Sequence, residues 1–238
     1  MPAAPTFLPS KAEAVRAMFT RIARRYDLMN SLMTGGRHHA WRRRVAEAAA
    51  AAPAGRVLDL ATGTADLAIA VRDRAPGRFV AGADFSEGML RVGQGKLAAR
   101  SVTGVRLLVA DALALPFRDG AFACVMSAFL LRNLENLERG LAEMRRVTMR
   151  GGRVITLDIV RPAAPLWGPV FGAYFNHVVP VIGALVAGDR QAYTYLPQSV
   201  ERFVTPDELA RMMEKVGLRE VGYQKLGLGT IALHVGVA

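Results

Sequence analysis

Three acidic residues, Asp59, Asp84 and Asp111, each close or follow a short apolar run (RVLDLA, RFVAGAD and VRLLVAD) that reads as a buried strand. In an open parallel sheet, ligands sit beyond the carboxyl ends of the strands, where strand order reverses. One Asp at a strand end is usually a turn or cap; three at successive ends make a binding edge. The turn after the first run, DLATGTAD, sets Gly63 among small residues, so backbone and a helix N-terminus can approach a ligand closely. Asp84 follows Gly63 by 21 residues, the place from which a carboxylate accepts both hydroxyls of a ribose. The G-x-G-x-x-G spacing of a dinucleotide site is missing. The loop suits instead a nucleoside with a charged amino-acid tail: Asp111 would take the adenine amino hydrogen, Ala112 would donate its backbone N–H to the ring, and Ser127 would lie near the tail.

These residues need a sheet to position them. FACVMSA (122–128) and RVITLDI (153–159) are further buried strands, and the segments 64–75, 86–100 and 135–149 have helical length. Buried strands alternating with helices imply right-handed crossovers and a parallel sheet covered on both faces. Ahead of the sheet, apolar spacing predicts one helix from Val15 to Tyr26 and another from Trp41 to Ala52, joined by a turn at MTGGRHH. Thr205, Pro206 and Glu208 form a capping box with proline at the first helical position, and EVGYQKL and TIALHVGV flank GLG as a terminal hairpin. The fold expected is α/β: a Rossmann-like doubly wound sheet ending in an antiparallel hairpin, in one domain. Its parts are an N-terminal helical cap (1–52), a cofactor-binding core (53–160), an apolar lid (161–204), and a last helix and hairpin (205–238).

The composition narrows function. At 238 residues and 52% hydrophobic, the chain can bury a sizeable core, and only MPAAPTFLPS at its start reads as frayed. The net charge of +11 invites anionic partners, but the basic residues do not interleave with aromatics, so nucleic acid is not an expected partner. Cys124, the single cysteine, lies in an apolar strand. That leaves no intrachain disulfide and no zinc spacing, so no metal is expected. No basic stretch followed by an apolar core marks a secretory signal, and a cytoplasmic location is expected. Pro162–Gly188 holds no charged residue over 27 positions, yet its prolines, Asn176 and His177 make a membrane span a poor reading. Bent helices over the sheet are expected there, apolar enough to receive a greasy ligand or to rest against the inner face of a membrane.

The motifs, taken together, resemble the menaquinone and ubiquinone biosynthesis C-methyltransferases from about residue 15 to the end. VLDLATGTAD is similar to methyltransferase motif I, and YDLMNSLMTGGRHHAW (26–41) carries Tyr26, Asp27, Met29, Asn30, His38 and Trp41 at the family's spacing. DFSEGML, DALALPF, FLLRNL, RVTMRGGRVITLDI, HVVPVIG and YTYLPQS follow in order. The resemblance implies a class I methyltransferase using S-adenosylmethionine, with Thr64, Asp84, Asp111, Ala112 and Ser127 as contacts, to which Asp59, Gly63, Phe85 and Tyr26 are added. It implies a small isoprenoid quinol as substrate; a homodimer and a peripheral membrane contact are compatible with it. Leu130, Met149, Arg150, Asp158 and Val160 depart from the family pattern and bear on the acceptor.

A ring carbon becomes a good nucleophile when a hydroxyl on its ring loses its proton, and a phenol pKa near ~10 makes a base or hydrogen-bond relay useful. Arg132 and Asn133, after the fourth strand, are candidates to orient or stabilise a phenolate, and His177 and Asp158 to accept the proton. A methyltransferase acting on another phenol, amine or lipid headgroup, and a cofactor-binding module without catalysis, are the competing readings.

Overall fold

The computed structural model describes residues 10–161 and 167–238. A seven-stranded sheet has the order β3-β2-β1-β4-β5-β7-β6, with β1 (Val57–Leu60), β2 (Val80–Asp84), β3 (Val105–Val109), β4 (Phe122–Ala128), β5 (Thr148–Ile159), β6 (Arg219–Leu226) and β7 (Ile231–Val237). The first five strands run parallel; β7 pairs antiparallel with β5, and β6 with β7. Strand order reverses between β1 and β4, so the crevice for a ligand lies beyond their carboxyl ends.

Alternation within each strand builds a core on both faces. Leu58, Val125 and Val154 pack with Leu141, Met144, Leu209 and Met213, from α6 (Leu137–Val147) and α10 (Pro206–Lys215). Their neighbours Val57, Cys124, Met126 and Ile155 face the other way, against Val45 and Ala49 of α3 (Arg37–Ala50) and Leu67 and Ile69 of α4 (Asp66–Arg74). A third cluster lies over the carboxyl ends. There Val15, Met18 and Ile22 of α1 (Lys11–Ile22), Met29 of α2 (Tyr26–Thr34) and Met89 of α5 (Glu87–Ala99) meet Phe175, Val179, Tyr193 and Val200. Cap and lid thus form one roof over the sheet's ligand edge.

The structure corrects several boundaries. The helix expected from Val15 to Tyr26 is two: a 3₁₀ turn, Ala23–Arg25, separates α1 from α2, so Tyr26 begins a helix instead of ending one. Gly35 and Gly36, both with positive φ, confine the next turn, and α3 starts at Arg37, ahead of Trp41. Within the segment read as frayed, Ser10 caps α1: its hydroxyl accepts from Glu13 N–H while the Glu13 carboxylate accepts from Ser10 N–H. Residues 1–9 lie outside the described ones. Strand β5 begins at Thr148, earlier than Arg153. Asp111 stands two residues past β3, in a turn closed by a bridge to Ala114.

The apolar segment is the largest correction. Instead of bent helices, α7 (Trp167–Ala173), a π turn (Tyr174–Val178), α8 (Val179–Ile182) and a second π turn (Gly183–Ala187) join end to end. Pro169 sits in the first turn, where its missing N–H has no helical partner to lose, and Pro180 follows a π turn, whose shifted hydrogen bonds absorb a missing donor. Residues Gly168–Val186 are long and apolar enough to cross a membrane by length and composition. The inner side of this helix packs on α9 (Arg190–Glu201), against which Gly183 allows a close approach: a Cβ there would fall 2.3 Å from the Tyr193 ring.

Gly152 marks the tightest backbone approach in the sheet, since an added Cβ would lie 2.8 Å from the carbonyl oxygens of both Ala123 and Met149. Gly152→Ala is therefore expected to destabilise the protein by about 1–3 kcal/mol, read as a lower urea midpoint with an unchanged slope.

Candidate functional site

Two cavities adjoin beyond the carboxyl ends of the strands. The smaller, of about 280 Å³, is lined by the sheet edge: Ala61 and Gly63 after β1, Asp84 at the end of β2 and Phe85 after it, Asp111 and Ala112 after β3, and Ala128 at the end of β4 with Phe129 and Leu130 after it. The larger, of about 510 Å³, lies under the roof between α1, α2, α3, the lid, α9 and the β6–β7 turn. Phe19, Tyr26 and Phe129 line both, so they form the common wall.

The backbone around the small cavity is bent to make room. Ala61 and Phe129 carry left-handed φ values of 57° and 64°, and Ala65, capping α4, one of 65°. Non-glycine residues in this region cost of order 1–3 kcal/mol each and gather where function requires the geometry. The Asp84 carboxylate ties two of these loops together: Oδ2 accepts from Gly63 N–H and Oδ1 from Ser86 N–H, each at 2.8 Å. Each oxygen keeps a further lone pair, as two ribose hydroxyls would need. Burial pushes its pKa up to about 6, against these backbone donors, which act to lower it. Asp111 Oδ1 accepts from Leu113 N–H at 2.8 Å, holding its own turn in place at the cavity edge.

Gly63, Asp84, Phe85, Asp111, Ala112 and Tyr26 thus meet at one cavity. Three other expected contacts do not line it. Asp59 is buried beneath the loop, where it accepts from Thr62 Oγ1 at 2.6 Å; burial, and then the nearby Asp84 charge, push its pKa up to about 7. The Thr64 hydroxyl points away, donating to Asp27 Oδ1 at 2.7 Å and accepting from Lys96. Ser127 is buried in β4 with its hydroxyl unpartnered among the described residues. These three shape the cavity from behind.

The catalytic candidates also divide. Arg132 lines the large cavity and Asn133 the small one. Asp158 lines neither: its oxygens accept from Leu131 N–H at 2.9 Å, Ile159 N–H at 3.0 Å and Arg132 Nη1 at 2.6 Å. Burial raises its pKa, opposed by the guanidinium beside it. It is an anchor for Arg132, and not a free proton acceptor. His177 is exposed on the outer side of the lid and faces neither cavity. A histidine passed over as an acid–base group, His38, lines the large cavity instead, as do Asn30 and Tyr193. His38 stood in the family signature, but one residue's spacing gives no direction for a ring.

The ubiE/COQ5 methyltransferase family model matches residues 8–238. A demethylmenaquinone methyltransferase of Thermus thermophilus is 47% identical over 92% of this chain and 99% of its own. A ubiquinone/menaquinone biosynthesis C-methyltransferase (UbiE) of Desulfotalea psychrophila is 41% identical over 97% of this chain and 93% of its own. Among solved structures, the [4+2]-cyclase SpnF superposes with a TM-score of 0.68 at 19% identity, over 93% of this chain and 78% of that one. A methyltransferase from Thermotoga maritima, a possible histamine N-methyltransferase, gives 0.63 at 18%, over 93% and 98%. These two show the fold, which is the class I methyltransferase frame expected.

Asp84→Asn should weaken S-adenosylmethionine binding about 100-fold by calorimetry, because two charge-assisted bonds at roughly 1.5 kcal/mol each lose their charge. The wild-type protein should bind about tenfold more weakly at pH 5 than at pH 8, since a carboxyl titrating near 6 must give up its proton to accept both hydroxyls. The Asn variant should lose most of that dependence.

Proposed function

The chain belongs to the ubiE/COQ5 methyltransferase family, and on that premise we propose that its substrate is a demethylated quinol, methylated on a ring carbon in menaquinone or ubiquinone biosynthesis. The observation that carries the reading is the pairing of a nucleoside-sized cavity with a larger apolar one across a shared aromatic wall. Four polar atoms of residues lining the larger cavity, Asn30 Nδ2, His38 Nε2, Arg132 Nε and the Tyr193 hydroxyl, are buried without a partner among the described residues. An aromatic diol offers hydroxyls that both donate and accept, which suits such a set. The names of the relatives favour a demethylmenaquinol.

S-adenosylmethionine, when bound, supplies an electrophilic methyl group on a cationic sulfur. Asp84 would hold its sugar and the Asp111–Ala112 turn its base, while the Gly63 loop allows close approach of the backbone. The apolar roof excludes water from the reacting centre. Arg132, fixed by Asp158 and by the Phe129 carbonyl at 2.9 Å, keeps a buried Nε–H for charge developing on a ring oxygen.

The mouth of the larger cavity supports a peripheral contact with an anionic membrane surface on the cytoplasmic side. Leu32 (46% exposed) and Leu228 (67%) line the cavity yet face out, and Leu28 continues the strip on α2. Val181 and Leu185 extend it on the lid, whose second π turn packs beside α2. Arg24 and Arg37, exposed at either end of α2 and without an ion-pair partner among the described residues, would meet lipid phosphates. An isoprenoid tail could then remain in the bilayer while the ring enters. Leu32→Asp with Leu228→Asp should abolish flotation with phosphatidylglycerol vesicles and leave S-adenosylmethionine affinity unchanged.

Incubation with S-adenosylmethionine and a chemically reduced demethylmenaquinol should yield product heavier by one CH₂; cofactor binding without turnover on any quinol would defeat the reading. Because removing one partner of a buried ion pair leaves a charge stranded, the informative variant is Arg132→Gln with Asp158→Asn. Its kcat should fall roughly 10²–10³-fold, as for loss of an oxyanion donor, with cofactor affinity within a few-fold of wild type.

A further inference from the structure

We propose that His38 Nε2 receives a ring-hydroxyl hydrogen of the quinol in the larger cavity, fixing the ring and taking that proton as the ring carbon is methylated. The inference rests on the quinol reading above and assigns the acid–base group that reading lacks, since Asp158 is ion-paired with Arg132 and lines neither cavity, and His177 faces away.

The hydrogen bonds around His38 determine which nitrogen is free. Thr34 Oγ1 donates its single hydrogen to the Asn30 carbonyl at 2.7 Å, the back-bond of a threonine to the preceding helical turn. With that hydrogen committed, Oγ1 can only accept from the imidazole Nδ1, 2.9 Å away, and from the His38 backbone N–H at 3.4 Å. Nδ1 therefore carries the ring hydrogen and Nε2 the lone pair. Nε2 is buried, without a partner among the described residues, on a residue 1% exposed that lines the cavity. An acceptor in such a place is costly unless a ligand supplies a donor.

The ring is neutral in the ligand-free protein. Burial, and then the charges of Arg42 on its own helix and the adjacent His39, bring its pKa down to about 4; Lys96 of α5 adds to this and Asp66 of α4 opposes it. Arg37 and Arg132 also line the cavity. A neutral imidazole accepts a hydrogen bond from a phenol without first losing a proton. Its basicity then rises as the reaction proceeds, because the sulfonium charge disappears and negative charge grows on the ring oxygen.

The step balances as follows. The O–H bond breaks and its proton passes to Nε2, the oxygen pair moves into the ring, and the adjacent carbon bonds to the methyl group. The S–CH₃ bond breaks with its electrons left on sulfur. The imidazolium then returns its proton to the ring oxygen, and the methylated carbon loses its hydrogen as a proton to bulk solvent when the cavity opens for product release, restoring the aromatic quinol.

His38→Ala should lower kcat on demethylmenaquinol by 10²-fold or more, leave S-adenosylmethionine affinity within about twofold, and regain at least tenfold of the lost rate with added imidazole. In ligand-free wild type, ¹⁵N resonances should show Nε2 unprotonated at pH 7. The proposal is overturned by a protonated Nε2, by near wild-type kcat in His38→Ala, or by a loss that imidazole does not restore and that His38→Gln, retaining the wild-type melting temperature, shares with equal loss of cofactor affinity. A wild-type enzyme that methylates no quinol would instead defeat the reading beneath it, while the nitrogen assignment would still be measured.

Discussion

One ammonium group holds the two halves of the site together. Lys96, on α5 in the core, reaches Asp27 Oδ2 of the cap at 2.6 Å, Thr64 Oγ1 of the cofactor loop at 2.9 Å, and Asp66 at the start of α4. Asp66 in turn binds Arg42 of α3 at 2.6 Å. Two cations and two carboxylates form a closed, half-buried, neutral network, so none of the charges is left uncompensated as the roof closes over the sheet. The dependence runs in one direction. The core folds around its own strands, but the larger cavity exists only where α2 and α3 are fixed above the loop after β1, and this network fixes them.

The same region bears the backbone strain. Ala61, Ala65 and Phe129 all lie where the chain leaves β1 or β4, and each takes a conformation that an L-residue disfavours. The consequence at Phe129 is that its ring stands in the wall between the cavities while its carbonyl accepts from Arg132 Nη1 at 2.9 Å and Asn133 Nδ2 at 3.0 Å. One strained residue thus sets the partition between donor and acceptor cavities and the position of the guanidinium. Asn133 extends the arrangement to the lid side by accepting from the Tyr195 hydroxyl at 3.1 Å.

How much of this was legible in the sequence depended on whether period or direction was at stake. Period gave the strands and helices of the core, the capping box at Thr205, and Asp84 at its distance from Gly63, because each follows from local pattern. Direction was not available. Thr64 and Ser127 sit in the right motifs, but the first turns toward Asp27 and the second lies within the sheet; one side-chain rotation separates a cavity-lining hydroxyl from a buried one. Asp59 was misplaced for a related reason: successive residues of a strand point to opposite faces, and a strand end alone does not say which face meets the ligand. His177 faces outward because the lid is a continuous helix with π turns, a register that 3.6-residue spacing does not foresee.

The unpartnered atoms of the larger cavity explain why its apolar lining is not simply more core. An unsatisfied buried donor or acceptor costs about 1–3 kcal/mol, so Asn30, His38, Arg132 and Tyr193 together are a burden that aliphatic residues of similar volume would avoid. The fold carries that burden beside the packed cluster of the roof, where Met29 and Val179 are fully buried. Stability is set against complementarity within a few ångströms. Because three of the four residues come from the cap and α9 and only Arg132 from the sheet edge, acceptor chemistry can vary with the roof while the cofactor edge beneath keeps its geometry.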